Sequence, residues 1–312
     1  MQIYSGFLPI PAPRGTALAM GFFDGLHIGH CQVVAAAVRW AAEQGCEAAV
    51  FTFTMQGMGK KGGRLETLEQ KHAQLQKMGV DYIAEPPFSS FKDLTPEQFV
   101  RGIQADFKAK AVFCGPNFTF GKGAVGNVEL LRTLCAPLGI QVFVIPFATD
   151  GGQPVSSTRI RQALAEGDVA AAARLLGHPY AVTLPVCHGR GLGRTLGVPT
   201  LNQIFPAEFQ LPKSGIYITR VLLADGWHAG ATGLGSRPTV NEDAADVTCE
   251  TFLPDYHGDL YGAVVTTEFC KYLCPTRKFD TLDELRHCIL SAASQAVAYF
   301  GGRADRLPED FK

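Results

Sequence analysis

The chain has 312 residues, 46% of them hydrophobic and 18% charged, with a mean hydropathy of +0.08. That composition excludes a disordered or fibrous chain and is enough for two domains, each with its own core. With 28 basic against 29 acidic residues the formal charge is −1, so there is no global basic field for nucleic acid, and no apolar run is long enough to cross a bilayer.

The first half alternates strand-like and helix-like patterns. Residues 16–20 read as strand, 30–44 as helix, 47–54 as strand and 67–78 as helix. Residues 81–85, 111–114 and 140–146 follow as strands, with helices at 95–107 and 127–138 between them. Short connections between alternating elements predict a parallel sheet wrapped by helices. Residues 1–13 lack the basic-then-apolar pattern of a secretory signal, so the expected location is cytoplasmic. Nine scattered cysteines, with Cys270 and Cys274 the closest pair and no histidine at zinc spacing, read as reduced core residues.

Between the first strand and helix runs Gly21-Phe22-Phe23-Asp24-Gly25-Leu26-His27-Ile28-Gly29-His30. A helix start gathers unpaired N–H groups and the positive dipole end, which suits bound phosphate and disfavours imidazolium. A neutral histidine still donates a hydrogen bond to a phosphoryl oxygen. His27 and His30 are therefore candidate phosphate-binding catalytic residues, and Gly29 leaves room for a nucleotide to approach the backbone. The plainer reading is a pair of capping histidines on an ordinary strand–helix turn.

Residues 156–177 read as two short helices, the first capped by Ser156 or Ser157 and the second by Asp168. Hydroxyls at that first helix start bind phosphate oxygens as well as cap, and Arg159 has the reach for a triphosphate. After Pro179 the pattern turns to short strands at 181–187, 215–224, 227–234, 247–253 and 264–273, a small antiparallel barrel, with the domain boundary expected near 180. A final helix at 281–300 carries Leu282, Leu285, Ile289, Ala293 and Val297 as its expected core face.

Within the barrel half, His188-Gly189-Arg190-Gly191-Leu192-Gly193-Arg194 is a basic, glycine-rich loop suited to covering phosphates. It leads to Pro199-Thr200-Leu201-Asn202, where an extended chain points Thr200 and Asn202 to one face as hard ligands for Mg²⁺. Glu250, in an otherwise uncharged strand, is the candidate base for an alcohol, or else a surface glutamate.

These motifs resemble those of the bacterial bifunctional riboflavin kinase/FAD synthetases, over residues of about 14 to about 295. Residues 21–30 and 156–161 resemble the nucleotidyltransferase motifs, 115–121 the flavin- and nucleotide-side loop, 197–202 the kinase signature, 235–239 a neighbouring loop, and 249–262 the strand of the kinase base. The resemblance implies a Rossmann-like nucleotidyltransferase domain over 1–180 and a riboflavin kinase barrel with a C-terminal helix over 181–312. It implies Asp24, Gly29, Ser156, Thr158 and Arg159 around ATP, Asn117 at the flavin, and residues 189–194 over the kinase phosphates. Mg²⁺ would be the cofactor, riboflavin, FMN, FAD and ATP the small-molecule partners, without nucleic acid or membrane, in a monomer or weak homo-oligomer.

Two departures stand out. Leu201 replaces an alanine and is expected to point away from the ligands and be tolerated. Thr54-Met55-Gln56-Gly57 lacks the family's carboxylate, histidine and prolines, which predicts slow rather than absent adenylyl transfer. A kinase with an inactive first half, and a flavin-storage protein without catalysis, are the alternatives.

Overall fold

Residues 1–6, 9–54, 62–189, 191–236 and 247–308 are described by the structure, a computed structural model. The 55–57 departure, Arg190, and Arg237, Pro238 and Thr239 of the 235–239 loop lie outside the described residues. The chain forms two compact units, one of residues 1–60 and 68–156, the other of 61–67 and 157–312.

In the first unit the order is β1 (Gln2–Tyr4), β2 (Thr16–Met20), α1 (Ile28–Gln44), β3 (Glu47–Phe51), α2 (Leu68–Lys77) and β4 (Tyr82–Ala84). Then come α3 (Pro96–Phe107), β5 (Ala109–Cys114), α4 (Val128–Cys135), β6 (Gln141–Val144) and the small hairpin β7 (Thr149–Asp150) and β8 (Gln153–Pro154). Six strands form a parallel sheet in the order β1-β4-β3-β2-β5-β6.

Every residue of β2 and β3 is buried, as expected of parallel strands covered on both faces. Alternate side chains serve opposite layers. Leu18, Met20, Phe51 and Val112 meet Phe99, Ile103, Phe107 and Leu131 of α3 and α4 on one face. Ala17, Ala19, Val50 and Phe113 meet Val33, Val34, Ala37 and Leu75 of α1 and α2 on the other. From β2 the chain works outward through β3 and β4, then crosses to the opposite side with β5 and β6. The reversal lies between β2 and β5, and ligands of such sheets bind at the strand carboxyl ends beside it. Residues 21–27 follow β2 and 115–121 follow β5 at that edge.

β1 was not legible in the sequence: three residues at a sheet edge, with Ile3 49% exposed, give no period to read. α4 ends at Cys135 and passes into a single tight turn, Ala136–Leu138, because Pro137 lacks the N–H that would continue it.

The second unit contains α5 (Ser157–Glu166), α6 (Val169–Leu176), β9 (Tyr180–Pro185), α7 (Leu192–Thr195), β10 (Thr200–Phe205) and β11 (Gly215–Leu223). β12 (Gly226–Ser236), β13 (Val247–Phe252), β14 (Val264–Cys274) and α8 (Leu282–Tyr299) complete it. Its antiparallel sheet runs β10-β13-β12-β11-β14-β9. The two ends meet where Cys187 N–H donates to Asn202 O at 2.8 Å, closing a barrel. Inside it, the Gln203 amide donates to Leu184 O and Val265 O and accepts from Thr267, so this fully buried side chain is satisfied. Leu201 points inward among Val186, Val221, Leu253 and Val265, away from Thr200 and Asn202.

Contacts set the division between units at 156/157, although the change from helices to strands falls near 180. Leu164 O of α5 accepts Lys213 N–H at 2.9 Å, and α6 packs on β9 and β14. We expect a fragment starting at 157 to melt at least about 10 °C above one starting at 181, because Val169, Leu175 and Leu176 each bury about 1.5–3 kcal/mol of apolar side chain. Equal melting midpoints by circular dichroism would assign α5 and α6 elsewhere.

The face of α8 follows the sequence expectation at Ala293 and, partly buried, at Ile289, and departs from it elsewhere. Ala292, Ala293 and Ala296 are its buried residues, while Leu282 is 54% exposed. Small side chains let the C-terminal half of α8 sit close on the sheet. Its N-terminal half, capped by Thr281, stands over a cavity instead.

Candidate active sites

The turn after β2 is held from both ends. Gly21 N–H donates to Phe51 O, and the buried Thr52 hydroxyl donates to Phe22 O at 2.7 Å. Phe23 and Leu26 adopt φ of 49° and 23°, a costly backbone for side chains of that size, and both are fully buried, which keeps the turn in place. His27 caps α1: its Nδ1 accepts the His30 N–H at 3.2 Å. The neutral His27 ring therefore carries its proton on Nε2, which is left as a donor. The capping reading is therefore observed at His27, and the cap leaves Nε2 unused by it.

The His27 and His30 rings stack with centroids 3.5 Å apart, and Phe23 meets His30 edge-on at 5.3 Å. Gly29 lies in the first turn of α1, where an added Cβ would stand 3.3 Å from the His27 ring. Burial pushes the His27 pKa down to about 4. His30 lies well below the usual histidine range, first from burial, then from the charges of His27 and Lys71. Both rings are neutral at pH 7, and the buried His30 Nδ1 has no hydrogen-bond partner. Asp24 is buried in the same turn. Asn117 is exposed after β5, its Oδ1 3.2 Å from where a Gly115 Cβ would stand. Ser156 ends the first unit, whereas Thr158 and Arg159 belong to the first turn of α5 in the second.

An aromatic ledge at this edge was missed in the sequence. Phe22 stacks on Phe53 at 4.8 Å, and Phe53 packs on Phe88 at 5.3 Å. The available signal was phenylalanine recurring just past the strand ends, at 22, 53 and 88.

In the barrel unit the register brings the predicted residues together. Asn202 stands opposite Glu250, Glu250 opposite Gly233, and Gly233 opposite Ile216. Directly opposed residues share a sheet face. Glu250 is half-buried on the outer face, with Cys249 and Thr251 turned into the barrel. Gly189 lies so close to Asn202 that a Cβ would come within 2.6 Å of its amide, and a Cβ on Gly193 would meet Val198 O at 2.5 Å. Only glycines let this loop lie on β10. Gly191, with φ of 72°, caps α7, which carries Arg194. Asn202 is 5% exposed beneath the loop, and its Nδ2 donates to Thr200 O at 3.1 Å.

A cavity of about 580 Å³ opens beside this row, lined by Ile216, Leu273, Cys274, Arg277, His287 and Cys288 among others. Neighbouring strands are about 4.8 Å apart, so Ile216 lies about 10 Å from Glu250, with bare Gly233 between them. Cys274 is exposed and Cys31, Cys187 and Cys288 are half-buried, contrary to the expectation of cysteines confined to the core; none of the nine forms a disulfide.

Thr200 and Asn202 offer a hydroxyl and an amide oxygen, the hard donors Mg²⁺ takes when phosphates and water supply the rest. Among the described residues no three His, Cys, Asp or Glu side chains converge as a metal site of their own. The donor set fits a cation that arrives with a nucleotide.

Residues 10–159 match the FAD synthetase family and 176–300 the riboflavin kinase family. The chain is 33% identical over 300 residues to the bifunctional riboflavin kinase/FMN adenylyltransferase of Escherichia coli K12, covering 93% of this chain and 95% of the relative. It is 30% identical to the Listeria monocytogenes protein of that name, over 86% and 87% of the two chains. A solved structure titled a macrolide-efflux protein from Streptococcus pneumoniae superposes with a TM-score of 0.85 at 26% identity, covering 94% of this chain and 97% of that one. Among the described residues here, no helix is long and apolar enough to cross a membrane. With both family matches in sequence order and identity extending through both units, the chain belongs to the bifunctional riboflavin kinase/FMN adenylyltransferase family.

Proposed function

We infer that the chain makes FMN from riboflavin and ATP in its barrel unit, and FAD from FMN and ATP in its α/β unit. The observation that carries the reading is the row Asn202–Glu250–Gly233–Ile216, which joins a base and cation donors to a cavity of flavin size. Riboflavin in that cavity directs its ribityl 5′-hydroxyl along the bare Gly233 step towards Glu250. Glu250 takes the proton, the oxygen attacks the γ-phosphorus, and ADP leaves. Gly189, Arg190, Gly191, Gly193 and Arg194 cover the phosphates, and Thr200 and Asn202 hold Mg²⁺, which offsets phosphate charge when bound.

Adenylyl transfer needs no base. A phosphate monoester such as FMN carries about −1.5 to −2 charge at neutral pH and is itself the nucleophile. Its oxygen attacks the α-phosphorus of ATP and pyrophosphate leaves. His27 donates from Nε2 and, with His30, orients and stabilises the phosphates without competing for protons. Asp24, Gly29 and Ser156 complete the ATP site of this unit, while Asn117 and the Phe22–Phe53–Phe88 ledge receive the flavin. A kinase-only reading rests on residues 54–57 alone; the match of residues 10–159 to the FAD synthetase family favours two activities. Nine cysteines without a disulfide suit a reducing, cytoplasmic setting.

The test is incubation with riboflavin, ATP and Mg²⁺ and chromatographic separation of the flavins. FMN should appear first and FAD after it, with ADP and pyrophosphate released. FMN alone would establish the kinase-only alternative, and neither product the flavin-storage one.

A further inference from the structure

One aromatic contact of the barrel unit lies at its surface. The His188 and Tyr261 rings stack with centroids 3.9 Å apart and planes 29° from parallel, although both residues are exposed. An exposed pair adds little to the stability of a fold, so its position offers a better account. The backbone beside each ring is pinned. Val186 N–H donates to Ala263 O at 2.8 Å, and Gly262 N–H donates to Val186 O at 2.9 Å. The Asp259 carboxylate accepts the Tyr261 N–H at 2.9 Å, which fixes the turn ahead of β14. On the other side, Cys187 donates to Asn202 O twice, from its N–H at 2.8 Å and from its thiol at 3.3 Å. Gly189 lies against the Asn202 side chain. His188 is therefore the residue between a backbone tied to β10 and a glycine laid over the Asn202 amide, and Tyr261 holds its ring.

We propose that Tyr261 is a positioning residue of phosphoryl transfer: through its stack on His188 it seats the start of the glycine-rich loop on Asn202, where the loop meets the phosphates of ATP. The proposal rests on the kinase reading of the barrel unit. Glycine loses more conformational freedom on ordering than any other residue, so a loop built on glycines is costly to hold in one place. A ring that holds its first residue raises the fraction of molecules with the loop seated before ATP arrives, and the apparent affinity follows that fraction. Tyr261 acts only through His188, so the two side chains behave as one unit towards ATP. The cavity at Ile216 lies three strands from Asn202, so riboflavin is outside their reach.

The test uses the full chain with Tyr261→Leu, His188→Leu and the two combined, and with Tyr261→Phe, which keeps the ring, as the conservative control. The readouts are the KM values for ATP and for riboflavin in FMN formation, the calorimetric affinity for ADP with Mg²⁺ in the absence of turnover, and the NMR shifts of the His188 ring. Those resonances are assigned by their loss in His188→Leu, and a stacked tyrosine moves them upfield. From the usual worth of an aromatic pair, Tyr261→Leu should raise the KM for ATP and weaken ADP binding about two- to tenfold. The KM for riboflavin should stay at the parent's value, the His188 resonances should move downfield, and Tyr261→Phe should match the parent throughout. The double variant should be no worse than the weaker of the single ones, because each removes the same contact. Losses that add in the double variant would show that Tyr261 meets the nucleotide by itself, and they overturn the proposal. An ATP KM unchanged in Tyr261→Leu overturns it too, and so does an equal rise in both KM values, the mark of a damaged barrel. A parent that makes no FMN, yet binds ADP and loses that affinity in Tyr261→Leu, overturns the riboflavin reading and leaves the role of Tyr261 standing.

Discussion

Glu250→Gln is expected to lower the rate of FMN formation by about 10²–10⁴, the usual loss when a general base is removed. Glutamine keeps the size of the side chain and its place opposite Asn202 and Gly233 but cannot take the ribityl proton. The cavity proposed for riboflavin lies two strands away at Ile216, so riboflavin binding should persist while kcat falls. Glu250 is half-buried on the outer barrel face, so stability should change by no more than about 0.5 kcal/mol. The checks are ADP release dependent on riboflavin, flavin fluorescence for binding, and a thermal melt. Unchanged turnover would return Glu250 to the status of a surface glutamate. FAD formation from supplied FMN should be unaffected, since it takes place in the other unit.

Replacing His27 and His30 together should abolish FAD formation and spare FMN formation. In the proposed site each neutral imidazole would supply one preoriented donor, and removal of one such donor typically costs about 10²–10³ in rate. The choice of substituent matters here. His27 also caps α1, so alanine would add about 1 kcal/mol of cap loss to the chemistry. His27→Asn keeps a good cap while removing the imidazole, and His30→Gln fills more of the space beside Phe23 than alanine would. With the pair His27→Asn and His30→Gln, FAD from FMN and ATP should fall at least about 10³-fold at unchanged melting temperature, with riboflavin phosphorylation as internal control. Loss of both products together would mean that the substitutions damage folding.

Much of the candidate chemistry was legible in the sequence because it depends on local patterns. The turn of residues 21–30, Asp168 as a helix cap, and Thr200 and Asn202 on one side of a strand all follow from spacings of a few residues. Those spacings act within one turn or one strand, where neighbours along the chain are also neighbours in space. Leu201 illustrates the limit of the same logic: period two places it opposite the ligands, and only the barrel shows that it fills the interior with Val186, Val221 and Leu253.

By itself, then, the sequence determined the alternation of the first half, the short strands of the second and the residue types of both sites. Tertiary structure alone decided the assignment of α5 and α6 to the barrel unit, the alanine face of α8, the aromatic ledge, the row from Asn202 to Ile216 and the burial of Lys71 with Glu85. Each of these depends on register or packing between segments far apart in the chain. Lys71 and Glu85 are separated by 14 positions, and Asn202 and Ile216 are joined only through β13 and β12. A lysine four residues into an amphipathic helix looks solvated in any sequence. Only the tertiary fold sets it, buried, 2.6 Å from the carboxylate of Glu85 just past β4.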